Sequence, residues 1–265
     1  MKSRVFVAAV GVPLIFWVVL WAPMGVFAAF LAALSAIAAW ELLTCVGAGR
    51  HRALCAASVL CAAFSVAFVY FNAYIYGELV VVYAMGVFAY AVCRGGAVKF
   101  QQIMAAMFAM VVIPYAFGSF LRLYALGLHR AFLLLPLLFS FASDTGAFFV
   151  GRALGKHKLA PRVSPHKTVE GAVGGLLGNA AGAVIFALVM NCAVGYSISY
   201  GGIILAGVVC SVVAQLGDLS FSLIKREFGI KDYGRIFLEH GGVLDRFDSV
   251  LFVAPVLGIV MPLVG

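Results

Sequence analysis

Between Gly171 and Gly217 the chain runs for 47 residues without a charged side chain. As a single helix rising 1.5 Å per residue, that run would be about 70 Å long, more than twice the roughly 30 Å hydrocarbon core of a bilayer. It must turn, and the stretch from Asn191 to Gly202, rich in glycine and polar residues, is where the turn is expected. No water-soluble domain hides such a run. Of the 265 residues 65% are apolar and 11% charged, against about 45–50% and 25% in soluble domains. Disordered, fibrous and disulfide-framework chains are excluded on the same ground. Cys45, Cys55, Cys61, Cys93, Cys192 and Cys210 form no CxxC pair and fall mostly inside apolar runs, so they read as small apolar filler.

The remaining spans follow from the same length rule. Val5 to Trp40 is uncharged but broken at Ala22-Pro23-Met24, giving spans one and two. Met1-Lys2-Ser3-Arg4 has the charge of a signal peptide, yet the apolar run behind it is long and a second span follows at once. A retained first helix is therefore expected. Ala53–Tyr76, Leu79–Cys93 and Phe100–Leu121 read as spans three to five. A sixth runs from Ala131 to about Val150 and contains Asp144. The long uncharged run supplies spans seven and eight, and Ser249–Val264 the ninth. The expected fold is an all-α polytopic membrane protein of about nine transmembrane helices. Residues 1–130 form an N-terminal set of about five spans. Residues 131–265 form a C-terminal set of about four spans with two polar loops.

Nine spans place 16 of the 18 lysines and arginines on one side, with only Arg122 and Arg130 opposite. The positive-inside rule makes that side, and the N-terminus, cytoplasmic. The net charge of +8 thus points to anionic headgroups rather than nucleic acid.

Eight of the ten carboxylates cluster around two of these cytoplasmic loops: Asp144, Glu170, Asp218, Glu227, Asp232, Glu239, Asp245 and Asp248. A charge at the membrane edge costs about 2.5–3.5 kcal/mol on insertion scales, so such residues are functional candidates by default. The bland reading is a solvated face paired with the lysines and arginines nearby. That accounts for neutrality but not for acids avoiding most other segments. If span eight continues as helix, Asp218, Ser222 and Lys225 share one face at i, i+4 and i+7, and Asp245 and Asp248 share another at i, i+3. Asp218, Asp245 and Asp248 are hard oxygen donors that suit Mg²⁺, which takes one or two carboxylates and fills its other positions with water and phosphate. A lone His240 among carboxylates is poor for Zn²⁺ and better placed to bind phosphate. Gly241-Gly242 beside it let backbone N–H groups approach an anion.

In the first loop five lysines and arginines meet no acid between Arg152 and Lys167. Such a loop holds anionic lipid at the least. Ser164, Lys167 and Thr168, with Glu170 behind them, also make a phosphate cradle at a helix start. The GxxxxGK[ST] of a Walker A loop is absent.

Ser222-Leu-Ile-Lys225-Arg226 … Lys231-Asp232-x-Gly234 … His240-Gly241-Gly242-Val-Leu-Asp245-Arg246-Phe-Asp248 closely resembles the hallmark motif of the phosphatidate cytidylyltransferases, the CDP-diacylglycerol synthases. Ser143-Asp144-Thr145-Gly146-Ala147-Phe148 and Ser164 to Gly171 are similar to that family's other strong segments. The resemblance covers roughly 140–250. One departure is Leu238-Glu239, where the family usually has Pro or Gly followed by Gly. The resemblance implies CTP + phosphatidate → CDP-diacylglycerol + pyrophosphate in phospholipid biosynthesis. It places the enzyme in the cell's inner (cytoplasmic) membrane, with the active site at the cytoplasmic face and Mg²⁺ as cofactor. CTP, phosphatidate and membrane lipids are its partners; a homodimer is compatible with it.

Under that reading Asp218, Asp245 and Asp248 hold the metal. Lys225, Arg226 and Lys231 neutralise triphosphate or pyrophosphate, with Asp232 among the catalytic group. His240 orients a phosphate or a metal-bound water. Arg162, Ser164, Lys167 and Thr168 bind nucleotide or phosphatidate phosphate, and Asp144 lies on or beside the metal. Ser222, Gly241, Gly242 and Arg246 complete the substrate contacts. The rival readings are a cytidylyltransferase for another lipid phosphate, a CTP-dependent polyprenol kinase, an inactive homologue serving as scaffold, and a secondary transporter. A transporter predicts carboxylates near helix centres and internal repeats, and the sequence has neither.

Overall fold

Pro23 has no N–H to donate and separates two helical stretches, as the sequence predicts. In the computed structural model, which describes residues 11, 13–71, 76–236 and 241–264, helix α1 (13–20) ends just before it and α2 (Met24–Cys45) starts just after. The rest of the expected first span lies outside the described residues. Helices α3 (Arg52–Phe71), α4 (Tyr76–Cys93) and α5 (Phe100–Ala125) follow. A 3₁₀ turn at Arg130–Leu134 leads into α6 (Leu135–Leu154). The 47-residue uncharged run folds as α7 (Val169–Val189), a π turn at Met190–Val194 and α8 (Tyr200–Glu227). The break thus falls inside the expected stretch, and the Asn191 side chain bridges it by bonding both Ile198 N–H and Ile198 C=O. Helix α9 (Leu244–Val264) closes the chain.

Eight helices among the described residues, of 18 to 28 residues, are long and apolar enough to cross a bilayer, and the protein is an all-α polytopic membrane protein. Two boundaries differ from expectation. Helix α8 continues through its polar end to Glu227, and α9 begins at Leu244, where Glu41 accepts the Val243 and Leu244 N–H groups. The polar stretch after α6 also holds a small antiparallel hairpin, β1 (Lys158–Ala160) with β2 (Ser164–Thr168), pairing Lys158 with Thr168 and Ala160 with Ser164. All six cysteines are free thiols.

The chain forms two compact units that do not follow chain order. One comprises the described residues up to Arg122 together with Glu227–Arg246; the other comprises Leu123–Arg226 and the residues from Phe247 on. In the first, α2 packs on α3 and α3 on α4. Polar side chains tie the helices: buried Ser35 donates to Ala62 C=O at 3.2 Å, the buried Ser58 and Tyr83 hydroxyls lie 2.5 Å apart, and half-buried Tyr76 links α4 to α5 by donating to Val111 C=O at 2.6 Å. Without a hydrophobic drive between helices in lipid, close packing and such hydrogen bonds hold them together. In the second unit α6 and α7 make the most intimate pair. Gly146 and Gly174 face each other so closely that a methyl on either would overlap the other helix's backbone.

Candidate active site

The second unit encloses a cavity of about 590 Å³ lined by Asp144, Phe148, Arg152, His166, Lys167, Thr168, Gln215 and Asp218, among others. That volume is within the range of small-ligand sites. Three elements supply its polar lining, and β1 and α7 add Leu159, Gly171 and Ala172. Asp144 comes from α6, Lys167 and Thr168 from β2, and Gln215 and Asp218 from α8.

The hairpin is held where its lysine reaches the cavity. Thr168 caps α7, its Oγ1 accepting Gly171 N–H at 3.1 Å. Glu170 accepts the Lys156 N–H at 3.0 Å and lies 2.6 Å from His157 Nδ1, clamping the hairpin's entry to the start of α7. Arg226 Nε reaches Val163 C=O at 3.4 Å on the hairpin's far end. So anchored, Lys167 forms an ion pair with Asp218. Ser222, one turn further along α8, donates to the other Asp218 oxygen at 3.3 Å, which confirms the shared face expected from the i, i+4 spacing.

Gly217 brings α9 close to this face. A Cβ there would lie 2.8 Å from Asp248 C=O and 3.1 Å from the Phe252 side chain, and Phe221 and Phe252 stack edge to face just beyond. Asp144, Asp218 and Asp248 consequently feel one another's charge, and Lys167 and Lys225 act on Asp144 and Asp248 in turn. Lys225 is buried. Asp248 Oδ1 accepts the Ser249 N–H at 2.7 Å.

Other sequence-derived candidates stand elsewhere. Arg162 is exposed at the hairpin turn, and Ser164 opens β2 outside the cavity lining. In the first unit Lys231, Asp232 and Arg246 are exposed, whereas Gly241 and Gly242 are buried and Gly241 has φ +80°. There Asp245 Oδ2 accepts the N–H groups of Tyr233 at 2.8 Å and Gly242 at 2.9 Å. His240, Leu238 and Glu239 lie outside the described residues.

Sequence reasoning passed over three residues of the cavity wall. Arg152 and His166 line the cavity without having been assigned a role. Gln215 lines it too, its Nε2 donating to Ala172 C=O at 3.1 Å and to Ser211 Oγ at 3.3 Å, with Ser211 2.9 Å from Ser143. In the first unit Glu41 was passed over as well; it is fully buried and turned towards Val243 and Leu244. A lone acid in an apolar span was the available signal for it.

As a metal site the Asp144 and Asp218 carboxylates in the lining offer hard oxygen donors, which suit a cation such as Mg²⁺ that needs few protein ligands. Among the described residues no three His, Cys, Asp or Glu side chains converge as a ready-made metal cage.

Fold and cavity together define a multi-pass membrane protein with a charged pocket beside the hairpin that joins two spans. Residues 2–264 match the cytidylyltransferase family, and the chain belongs to that family. It is 45% identical over 163 residues to a phosphatidate cytidylyltransferase of Staphylococcus saprophyticus, covering 60% of each chain. It is 42% identical to that of Staphylococcus haemolyticus over the same length, and 37% identical over 175 residues to that of Staphylococcus aureus, covering 66% of this chain and 65% of the relative. The matched region spans somewhat under two thirds of the relatives' length.

Proposed function

We propose that this protein transfers the cytidylyl group of CTP to phosphatidate, giving CDP-diacylglycerol and pyrophosphate, at the cytoplasmic face of the cell membrane. The observation that carries the reading is the Lys167–Asp218 pair in a 590 Å³ cavity of a chain whose family transfers cytidylyl groups. A phosphatidate phosphate oxygen attacks the α-phosphorus of CTP, a new P–O bond forms, and the bond to the β-phosphate breaks to release pyrophosphate. The attacking oxygen is already anionic at pH 7, so no strong base is required. The difficulty is to bring two anions together and to stabilise charge on the leaving group, which is electrostatic work.

Lys167, Arg152 and His166 supply positive or hydrogen-bonding groups in the cavity wall. Lys225 offsets the carboxylates behind them. Asp218 and Asp248, with Asp245 as the further candidate, are the residues that would hold Mg²⁺. When bound, Mg²⁺ supplies charge neutralisation to the triphosphate. The exposed apolar faces of the spans, such as Phe148 and Phe149 on α6, meet the acyl chains of lipid.

The test is headgroup transfer in detergent micelles with purified protein, phosphatidate, radiolabelled CTP and Mg²⁺, against an EDTA control. Label entering the lipid phase only with metal, with pyrophosphate released, supports the reading. Transfer to an isoprenoid phosphate but not to phosphatidate replaces the acceptor. No transfer to either, from monodisperse protein, overturns the reading.

A further inference from the structure

Glu41 lies four residues before the end of α2, in a helix with no other charged side chain. Its carboxylate is fully buried, and among the described residues no lysine or arginine forms an ion pair with it. Burying an unpaired carboxylate is expensive unless its oxygens are satisfied by hydrogen bonds. Here both are. Oε1 accepts the Val243 N–H at 3.0 Å and Oε2 the Leu244 N–H at 2.8 Å.

Those two donors are orphans of the α9 N-terminus, where a helix leaves N–H groups unsatisfied and favours negative charge. Most helices cap themselves with a nearby Ser, Thr, Asp or Asn. This one takes its cap from a residue 202 positions away. The surrounding backbone is shaped around the carboxylate, since a methyl on Gly234 or on Gly242 would overlap Glu41 Oε1. The same turn is closed from its other side by Asp245, which accepts the Gly242 and Tyr233 N–H groups. Two carboxylates therefore hold one short turn by adjacent amides, Glu41 at 243 and 244 and Asp245 at 242.

We propose that Glu41 is a positioning residue: it sets the conformation of the 241–246 turn and, through it, the orientation of Asp245 and Arg246. The inference rests on the cytidylyltransferase reading for its effect on turnover, but not for its effect on the turn.

The experiment uses the full-length protein in detergent with E41Q, E41A, G234A and the E41A/G234A double variant. Hydrogen exchange is followed by mass spectrometry on peptides covering 241–248. E41A loses two charge-assisted bonds, so exchange there rises about tenfold or more, with α6 and α7 peptides unchanged. In E41Q, one amide oxygen still accepts while the NH₂ opposes an N–H. Its turnover with phosphatidate and CTP falls about tenfold to a hundredfold in kcat, with KM for phosphatidate unchanged. G234A, which crowds the carboxylate, raises exchange at the same peptide, and adding it to E41A produces no further rise because the carboxylate is gone. Wild-type exchange at 241–248 in both E41A and E41Q overturns the proposal. So does raised exchange with kcat unchanged, which leaves Glu41 a structural cap only. If the unmodified protein transfers no label, the proposed reaction fails, and the exchange data still decide whether Glu41 sets the turn.

Discussion

Lys167 on β2 and Asp218 on α8 are ion-paired in the wall of a single cavity, each about one quarter exposed. One of these groups suits phosphate and the other a divalent cation. Paired, they offset each other's charge, which repays part of the cost of taking two ions partly out of water. Under the proposed function, a phosphate and a cation bound together would satisfy both partners at once.

Replacing Lys167 by Ala is expected to lower kcat/KM for transfer by about a hundredfold to a thousandfold, the usual cost of removing one group that stabilises transition-state charge. Asp218→Asn should fall at least as far. Because the two residues are partners, K167A/D218N should lose much less than the sum of the single effects, and a double-mutant cycle on kcat/KM measures the difference.

Asp248→Asn should remove turnover while leaving a monodisperse protein, since the Asn oxygen still accepts the Ser249 N–H that Asp248 holds at 2.7 Å. Asp245→Asn should also reduce turnover severely. Near-wild-type rates in both variants would end the assignment of these carboxylates to the metal.

EDTA should abolish transfer, and excess Mg²⁺ should restore it. Titrating Mg²⁺ against a Ser222→Ala variant gives a finer test. Without the Ser222 hydroxyl on Asp218, the concentration needed for half-maximal rate should rise severalfold with the maximal rate little changed.

Gly217→Ala places a methyl 2.8 Å from the Asp248 carbonyl. Overpacking of this kind costs about 1–3 kcal/mol. Thermal unfolding in detergent should report a lower midpoint, and activity should fall because α9 must shift to admit the methyl.

Membrane orientation can be checked by impermeant thiol labelling of a cysteine-free background in intact cells. Cysteine at Leu128 should label from outside, and cysteine at Pro161 or Arg235 only after the membrane is opened, as the distribution of lysines and arginines requires. Labelling of Pro161→Cys in intact cells would reverse the topology.

Much of this architecture can be read from single residues. Pro23 ends one helix, the Asn191 to Gly202 stretch turns the long run, and Gly217-Asp218 marks the face that Ser222 and Lys225 share. Bilayer thickness and helix periodicity act locally, so local sequence reports them. The hairpin at 158–168 was missed because three- and five-residue strands give too short a pattern, and its clamp depends on Glu170 and His157 meeting in space.

The sequence alone determined that the chain spans a membrane repeatedly, where the spans break, and which carboxylates and lysines could share a site, because apolar length and charge placement are properties of the chain itself. Only the tertiary structure decided that Lys167 faces Asp218, that residues 227–246 belong with the early helices, and that Glu41 caps a helix 202 residues away. The physical reason is that lipid is as apolar as a helix interface. A spanning helix shows little contrast between the face that packs and the face that meets lipid, so its partners are chosen by close-packed glycines and buried hydrogen bonds that appear only when the helices are together.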